Sequence, residues 1–183
     1  MSYSLNDQLE AVLRADRLRR VASDRVTIRE RKANMSIDVT GVKWRATTIR
    51  IDRIGDLSGL RRGDWNQKCD YLMVIHKGTT YHATFLELKK SLDEGAPKPL
   101  EQLRRSLPFL EYLRSVCCVH FEDVTPPDVD VRYAVIGEKG QQRFDKQSVK
   151  ARPGQPVWTK PHRGITVSAF LGPTVPLEAL VGT

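Results

Sequence analysis

The chain of 183 residues lacks most of the signatures that announce a function at once. It has three cysteines, and Cys117 and Cys118 are adjacent. That is too few for a disulfide framework and suits reduced thiols in a cytoplasm. No apolar run approaches the roughly 18 to 20 residues that a membrane span needs. The opening residues, MSYSLNDQLE, have no charged-then-apolar signal layout. The expectation is therefore a cytoplasmic protein with no membrane partner. The four histidines, His76, His82, His120 and His162, show no HExxH and no cysteine-pair spacing, which argues against a structural zinc site. GxGxxG and GxxxxGK[ST] are absent, so nucleotide phosphates find no glycine-rich cradle. GxSxG is absent too, which speaks against a hydrolase of the nucleophile-elbow type. There is no internal repeat and no low-complexity tract.

What is present is a globular composition with a basic excess. Hydrophobic residues at 40% and charged residues at 28% place the chain far from disorder. Its length suits one domain over residues 1–183. The net charge of +8 favours a polyanionic partner. The excess is uneven. Residues 1–62 carry 14 basic against 8 acidic side chains, residues 63–125 carry 8 against 9, and residues 126–183 carry 8 against 5. The basic excess flanks a slightly acidic middle, an arrangement suited to collecting a cation at the centre and gripping phosphates around it.

The periodicities predict a helix over 5–20, with Ser4 and Asp7 as a capping box and Leu5, Leu9, Val12 and Leu13 on one face. VTIRE, SIDVTG and RATTIRID read as short antiparallel strands within 25–54, and 55–67 reads as a loop. DYLMVIH and YHATFLELKK form a hairpin whose strands are apolar on both faces, hence central in a sheet. Leu100, Leu103, Leu107, Leu110, Leu113 and Val116 mark an amphipathic helix, in which Pro108 is a kink or a restart. VDVRYAVIG is a further strand. Residues 138–183 are expected to be a peripheral loop and one last strand, GITVSAFLG. Trp44, Trp65 and Trp158 read as packing anchors, as do Tyr71 and Tyr81. His76 and His82 read as surface residues near the hairpin turn.

The hairpin carries the chemistry. Asp70 begins one strand, and Glu87 and Lys89 stand near the end of the other. Residues two apart in a strand leave the same face, so Glu87 and Lys89 share one. If the strands are antiparallel neighbours, Asp70 meets them at one end of the sheet. Two converging carboxylates, with the backbone carbonyl of Leu88 beside them, suit Mg²⁺, with Mn²⁺ able to substitute. Such an ion polarises a phosphodiester and acidifies water. Lys89 then orients or deprotonates the attacking water, or neutralises charge growing on the phosphate. The plain alternative is an ordinary Glu–Lys pair on an exposed strand.

The run KCDYLMVIHKGTTYHATFLELKKS, followed by PLEQLRRSLPFL, resembles the PD-(D/E)xK nuclease superfamily. The likeness covers about residues 68–113 at motif level, within a motif core of about 68–137, and the rest by element order. It departs at Cys69, where the family name has Pro. The resemblance implies an α/β (α+β) restriction-endonuclease-like core, a mixed central sheet flanked by helices in the order α-β-β-β-α-β. It implies that Asp70 and Glu87 are metal ligands and Lys89 the catalytic lysine. Gln102 resembles a glutamine that some branches carry on the following helix, although a solvent-facing position reads as well. Glu10 is the candidate for the acidic residue often supplied by the first helix, although its wheel position lies away from the apolar face. Lys90, Lys98, Arg104 and Arg105 are candidates for nucleic-acid phosphates, or a solvated face.

The expected function is a Mg²⁺-dependent nuclease acting on DNA, by family habit in phage defence or DNA processing. A homodimer is expected, since two strands need two sites. Any specificity would come from a partner protein or from DNA structure, or would not exist. The rival is a non-catalytic nucleic-acid-binding or regulatory subunit on the same fold.

Overall fold

The computed structural model describes residues 4–30, 34–52, 68–93, 96–121, 127–140 and 154–182. Trp65, the loop read over 55–67 and residues 141–153 lie outside the described residues. The elements are α1 (Leu5–Val12), β1 (Leu18–Val21), β2 (Arg25–Glu30), β3 (Met35–Thr40), β4 (Arg45–Arg50), β5 (Tyr71–Lys77) and β6 (Thr80–Leu92). They continue with α2 (Pro97–His120), β7 (Val129–Gly140), β8 (Trp158–His162), β9 (Ile165–Leu171), β10 (Thr174–Pro176) and α3 (Leu177–Val181). The fold is mixed α+β, built on a large mixed sheet flanked by helices.

Seven strands form that sheet in the order β1-β4-β5-β6-β7-β9-β8. β4, β5 and β6 are antiparallel neighbours, whereas β6, β7 and β9 run parallel. The parallel step from β6 to β7 is made through α2, the crossover that parallel strands require. Side-chain alternation then gives the sheet two apolar faces. Leu72, Val74, Ala83, Phe85 and Val135 meet α1 and α2 on one side. Met73, Ile75, Leu86, Leu88 and Ile136 meet α3 and a second sheet, ordered β10-β3-β2, on the other. Being apolar on both faces is what places β5 and β6 in the middle.

The first helix is shorter than its predicted span. Ser4 and Asp7 do form the capping box, but α1 ends at Val12. Beyond Leu13 the sequence RADR offers only the small Ala15, and no large apolar residue, to continue the face. Residues 18–21 instead pair with β4 as the sheet's edge strand. β2 and β3 are strands as expected, yet they belong to the second sheet. Residues 154–182 are not peripheral, because β9 lies inside the main sheet and β10 and α3 complete the second layer. α2 runs on through Pro108 without interruption. Tyr71 and Tyr81 are buried, and Trp44 and Trp158 pack against the two cores. His76 and His82 are half-buried rather than surface residues. His76 stacks on Tyr81, and His82 pairs with Asp130 at 3.1 Å.

Gly137 lies opposite Lys89 in the β6–β7 ladder. A Cβ there would come within 2.3 Å of Leu92 Cγ. Gly137→Ala should therefore destabilise the protein by about 1–3 kcal/mol through overpacking. In Gly137→Ala/Leu92→Ala the two costs should be clearly less than additive by denaturant titration, since the smaller residue vacates the space. Additive costs would show that Leu92 is not the obstacle.

Candidate functional site

Asp70, Glu87 and Lys89 are brought to one end of the β5–β6 hairpin. The ladder closes with Tyr71 opposite Leu86. One further step sets Asp70 opposite Glu87. β5 begins there, while β6 continues to Leu92 with β7 on its other side. Past Leu86, one flank of β6 therefore has no β5 partner. The Asp70 carboxylate takes over, with Oδ2 accepting the Leu88 N–H at 2.8 Å. The N–H and C=O of one strand residue point to the same side. The Leu88 carbonyl thus faces the flank that Asp70 occupies.

Three hydrogen bonds hold Asp70 and the residues leading into it in place. The Ile51 N–H donates to its backbone carbonyl at 3.1 Å. On α2, Ser106 Oγ accepts the Cys69 N–H at 2.9 Å, and Gln102 Nε2 donates to the Lys68 carbonyl at 3.3 Å. Gln102 is thereby half-buried above the segment that leads into Asp70 rather than free in solvent. Its Oε1 is buried without a partner among the described residues. Cys69 is fully buried and its thiol is pushed well up, chiefly by that burial, so it is a packing residue and not a nucleophile.

Glu87 projects from the α2 face of β6 and is only 1% exposed. Lys89 Nζ donates to its Oε1, while Oε2 has no partner among the described residues. Burial, then the negative charge of Asp70, push the Glu87 carboxyl up to about 8, against the pull of Lys89. Asp70 is raised to about 6, first by burial and also by the charges of Glu30 and Asp52. Like charges crowded into a dry place are costly unless a cation joins them. The donor set of carboxylate oxygens and a carbonyl is the one that hard divalent cations prefer.

Two acids here were not foreseen from sequence. Glu30 and Asp52 bring carboxylate oxygens within 4.8 Å of one another and of Asp70. Glu30 continues the inward stripe Val26, Ile28, Glu30 of β2, and that alternation in VTIRE was the available signal. Arg50 reaches Glu30 at 3.3 Å and Asp52 at 2.9 Å and so balances much of this charge. The triad offers oxygens to a metal, but acidic clusters of this kind are common without one. Tyr71 fastens the second sheet here, its hydroxyl donating to the Arg29 carbonyl at 2.7 Å.

Glu10 is not part of this gathering. Its ion pair is with Arg20 at 3.8 Å, because α1 lies over β4 and β5 and turns that residue toward the edge strand β1. The acid from outside the hairpin that reaches Asp70 comes from β2. Lys90 and Lys98 are exposed, and Lys98 lines a cavity of about 300 Å³ that Lys89 and Trp158 share. Arg104 and Arg105 are held by Glu101 at 3.1 and 3.6 Å. The same carboxylate takes His162 at 2.8 Å and Arg163 at 3.2 Å. Arg163 and Gly164 both have positive φ, the backbone of a tight two-residue hairpin turn, which carries Arg163 against α2. Three arginines and a histidine around one carboxylate leave a basic surface beside Gln102.

Comparison of the chain with family models, with curated proteins and with solved structures gives no match. No helix among the described residues is long and apolar enough to cross a membrane.

The raised carboxyls set a pH dependence. Both folded values lie above the ordinary carboxylate range, so the metal-free fold is favoured while the acids are protonated. Their contribution is intact below about pH 4. It is lost as pH rises through about 6 for Asp70 and about 8 for Glu87. In EDTA, Glu87→Gln should raise Tm by about 3–6 °C at pH 8 and change it little at pH 5. Thermal unfolding at the two pH values checks this, and a variant less stable than the parent at pH 8 refutes it.

Proposed function

We propose that the protein is a Mg²⁺-dependent nuclease of the PD-(D/E)xK type that hydrolyses DNA phosphodiester bonds. The observation that carries this reading is the Glu87 carboxylate, buried beside Asp70 with one oxygen unpaired among the described residues and Lys89 on its other oxygen. A fold keeps such a group at a cost, and a cation between the two acids offsets it. Asp70, Glu87 and the Leu88 carbonyl are the ligands in this reading. A divalent cation, when bound, supplies Lewis acidity toward a phosphodiester. Lys89 holds its ammonium on the Glu87 face, where it can neutralise charge growing on the phosphate. Gln102 acts as a positioning residue through the Lys68 carbonyl. The run β4, β5, β6, α2, β7 gives three antiparallel strands, a helix and a strand, the order of a restriction-endonuclease-like core, with β1–β3 interposed after α1. The surface around Arg104, Arg105, His162 and Arg163 adds cationic contacts of the kind that position a backbone.

Purified protein should nick or cut linear, circular or branched DNA with Mg²⁺ or Mn²⁺ and not in EDTA. Glu87→Gln and Lys89→Ala should each lower the rate about 100-fold or more. Cleavage that survives both substitutions would belong to a contaminant. DNA binding without cleavage on any substrate would favour a non-catalytic binding subunit instead.

A further inference from the structure

A second basic feature lies on the opposite side of Asp70 from α2. The two sheets meet there with their edge strands side by side, β1 closing the main sheet and β2 the smaller one. Between them runs a groove of about 400 Å³. Arg17 and Arg19 stand on one wall, Arg29 on the other, and Arg50 and Tyr71 on the floor. Among the described residues, Asp16 is the single acid in the lining. It is tied to Arg14 and Arg17, and Arg50 is tied to Glu30 and Asp52. Arg19 and Arg29 are exposed and have no carboxylate within 4.0 Å among the described residues. A guanidinium stays charged at any working pH and presents a fork of donors matched to phosphate oxygens. With Arg17 and Arg50 already shared with carboxylates, Arg19 and Arg29 are the two guanidinium groups left to face an anion, one from each wall of the concavity. The floor residue Arg50 reaches Glu30 and Asp52, whose carboxylates gather with that of Asp70, so the groove leads toward the acidic centre.

We infer that this groove binds the phosphodiester backbone of a nucleic acid, with Arg19 and Arg29 as its principal phosphate contacts. The inference rests on the nuclease reading only for where the bound strand leads. The groove itself is argued from charge and shape. Two guanidinium groups facing each other across a groove suit successive phosphates of one backbone, and phosphate contacts carry no base identity, so binding should be insensitive to sequence.

The test uses the full chain with Glu87→Gln to stop turnover, a labelled 20-base-pair duplex and its single strand. Arg19→Ala/Arg29→Ala should weaken binding about 10- to 50-fold at 100 mM salt, and the slope of log affinity against log salt should fall by about two. Arg19→Lys/Arg29→Lys should recover most of the slope. Lys43→Ala, which removes an exposed cation outside the groove, should stay within about twofold of the parent. Unchanged affinity and slope in the alanine double variant would overturn the inference, as would a parent that binds no nucleic acid at low salt. Displacement of the duplex by millimolar inorganic phosphate at matched ionic strength would also overturn it, because the site would then take isolated phosphate. If cleavage depends on Glu87 while the groove variants bind normally, the groove falls and the nuclease reading stands. If the groove variants lose binding while no substrate is ever cut, the groove stands and the nuclease reading falls.

Discussion

The unequal length of two paired strands is the constraint on which the site depends. β5 has 7 residues and β6 has 13, and their shared turn fixes where the shorter one stops. The ladder ends at Tyr71 and Leu86, so the main chain of β6 emerges with one side unpaired. A buried N–H left without a partner is costly, and the Asp70 carboxylate satisfies it at Leu88. A slip by one residue would turn Glu87 and Lys89 to the opposite face and take Asp70 away from Leu88. The apolar stripes on both faces of these strands forbid that slip. Core packing and site geometry are therefore set by the same register.

Given that register, electrostatics divides the acids into two groups that share Asp70. On the side of the second sheet, Glu30 and Asp52 are bridged by Arg50, which lies over the Tyr71 ring at 5.8 Å. This reads as a finished ion-pair network that joins the two layers. On the α2 side, Glu87 has one lysine and one unused oxygen, and its proton affinity is raised well above that of an ordinary carboxylate. Buried polar groups in proteins tend toward full satisfaction, and a buried carboxylate that is both unfinished and beside a second acid is the one that a cation would complete. That contrast, more than the presence of acids, singles out the Glu87 side.

The hairpin, α2 and β7 are legible in the sequence because their apolar patterns are long and unambiguous, and the Asp70–Glu87–Lys89 gathering follows from strand alternation. Other features are not legible, for particular reasons. The tail of the expected first helix is a strand because RADRLRR has no apolar periodicity to hold a helix, while the sheet edge offers hydrogen bonds. β2 and β3 alternate as a main-sheet strand would, and only tertiary packing decides that they form a separate layer. Glu30 reaches Asp70 across that layer boundary, a distance that no local pattern encodes. The binding of Arg104 and Arg105 by Glu101 could be seen from their three- and four-residue spacing, but the arrival of His162 and Arg163 depends on where the chain returns.

The uneven charge of the sequence acquires a spatial meaning from this topology. The arginines of the groove, Arg17, Arg19, Arg29 and Arg50, all belong to the first 62 residues, where the basic excess is largest. His162 and Arg163 come from the final segment, which is also basic. The middle segment supplies Asp70 and Glu87 and is slightly acidic. Folding carries the groove arginines of the first segment to the β1–β2 side of Asp70, and His162 and Arg163 of the last one to the α2 side. In the proposed nuclease reading, an acidic centre would repel a polyanion on its own account, and the flanking arginines would supply the attraction that brings phosphates near it. Charge of both signs would then be needed within one small region, each sign drawn from a different stretch of sequence.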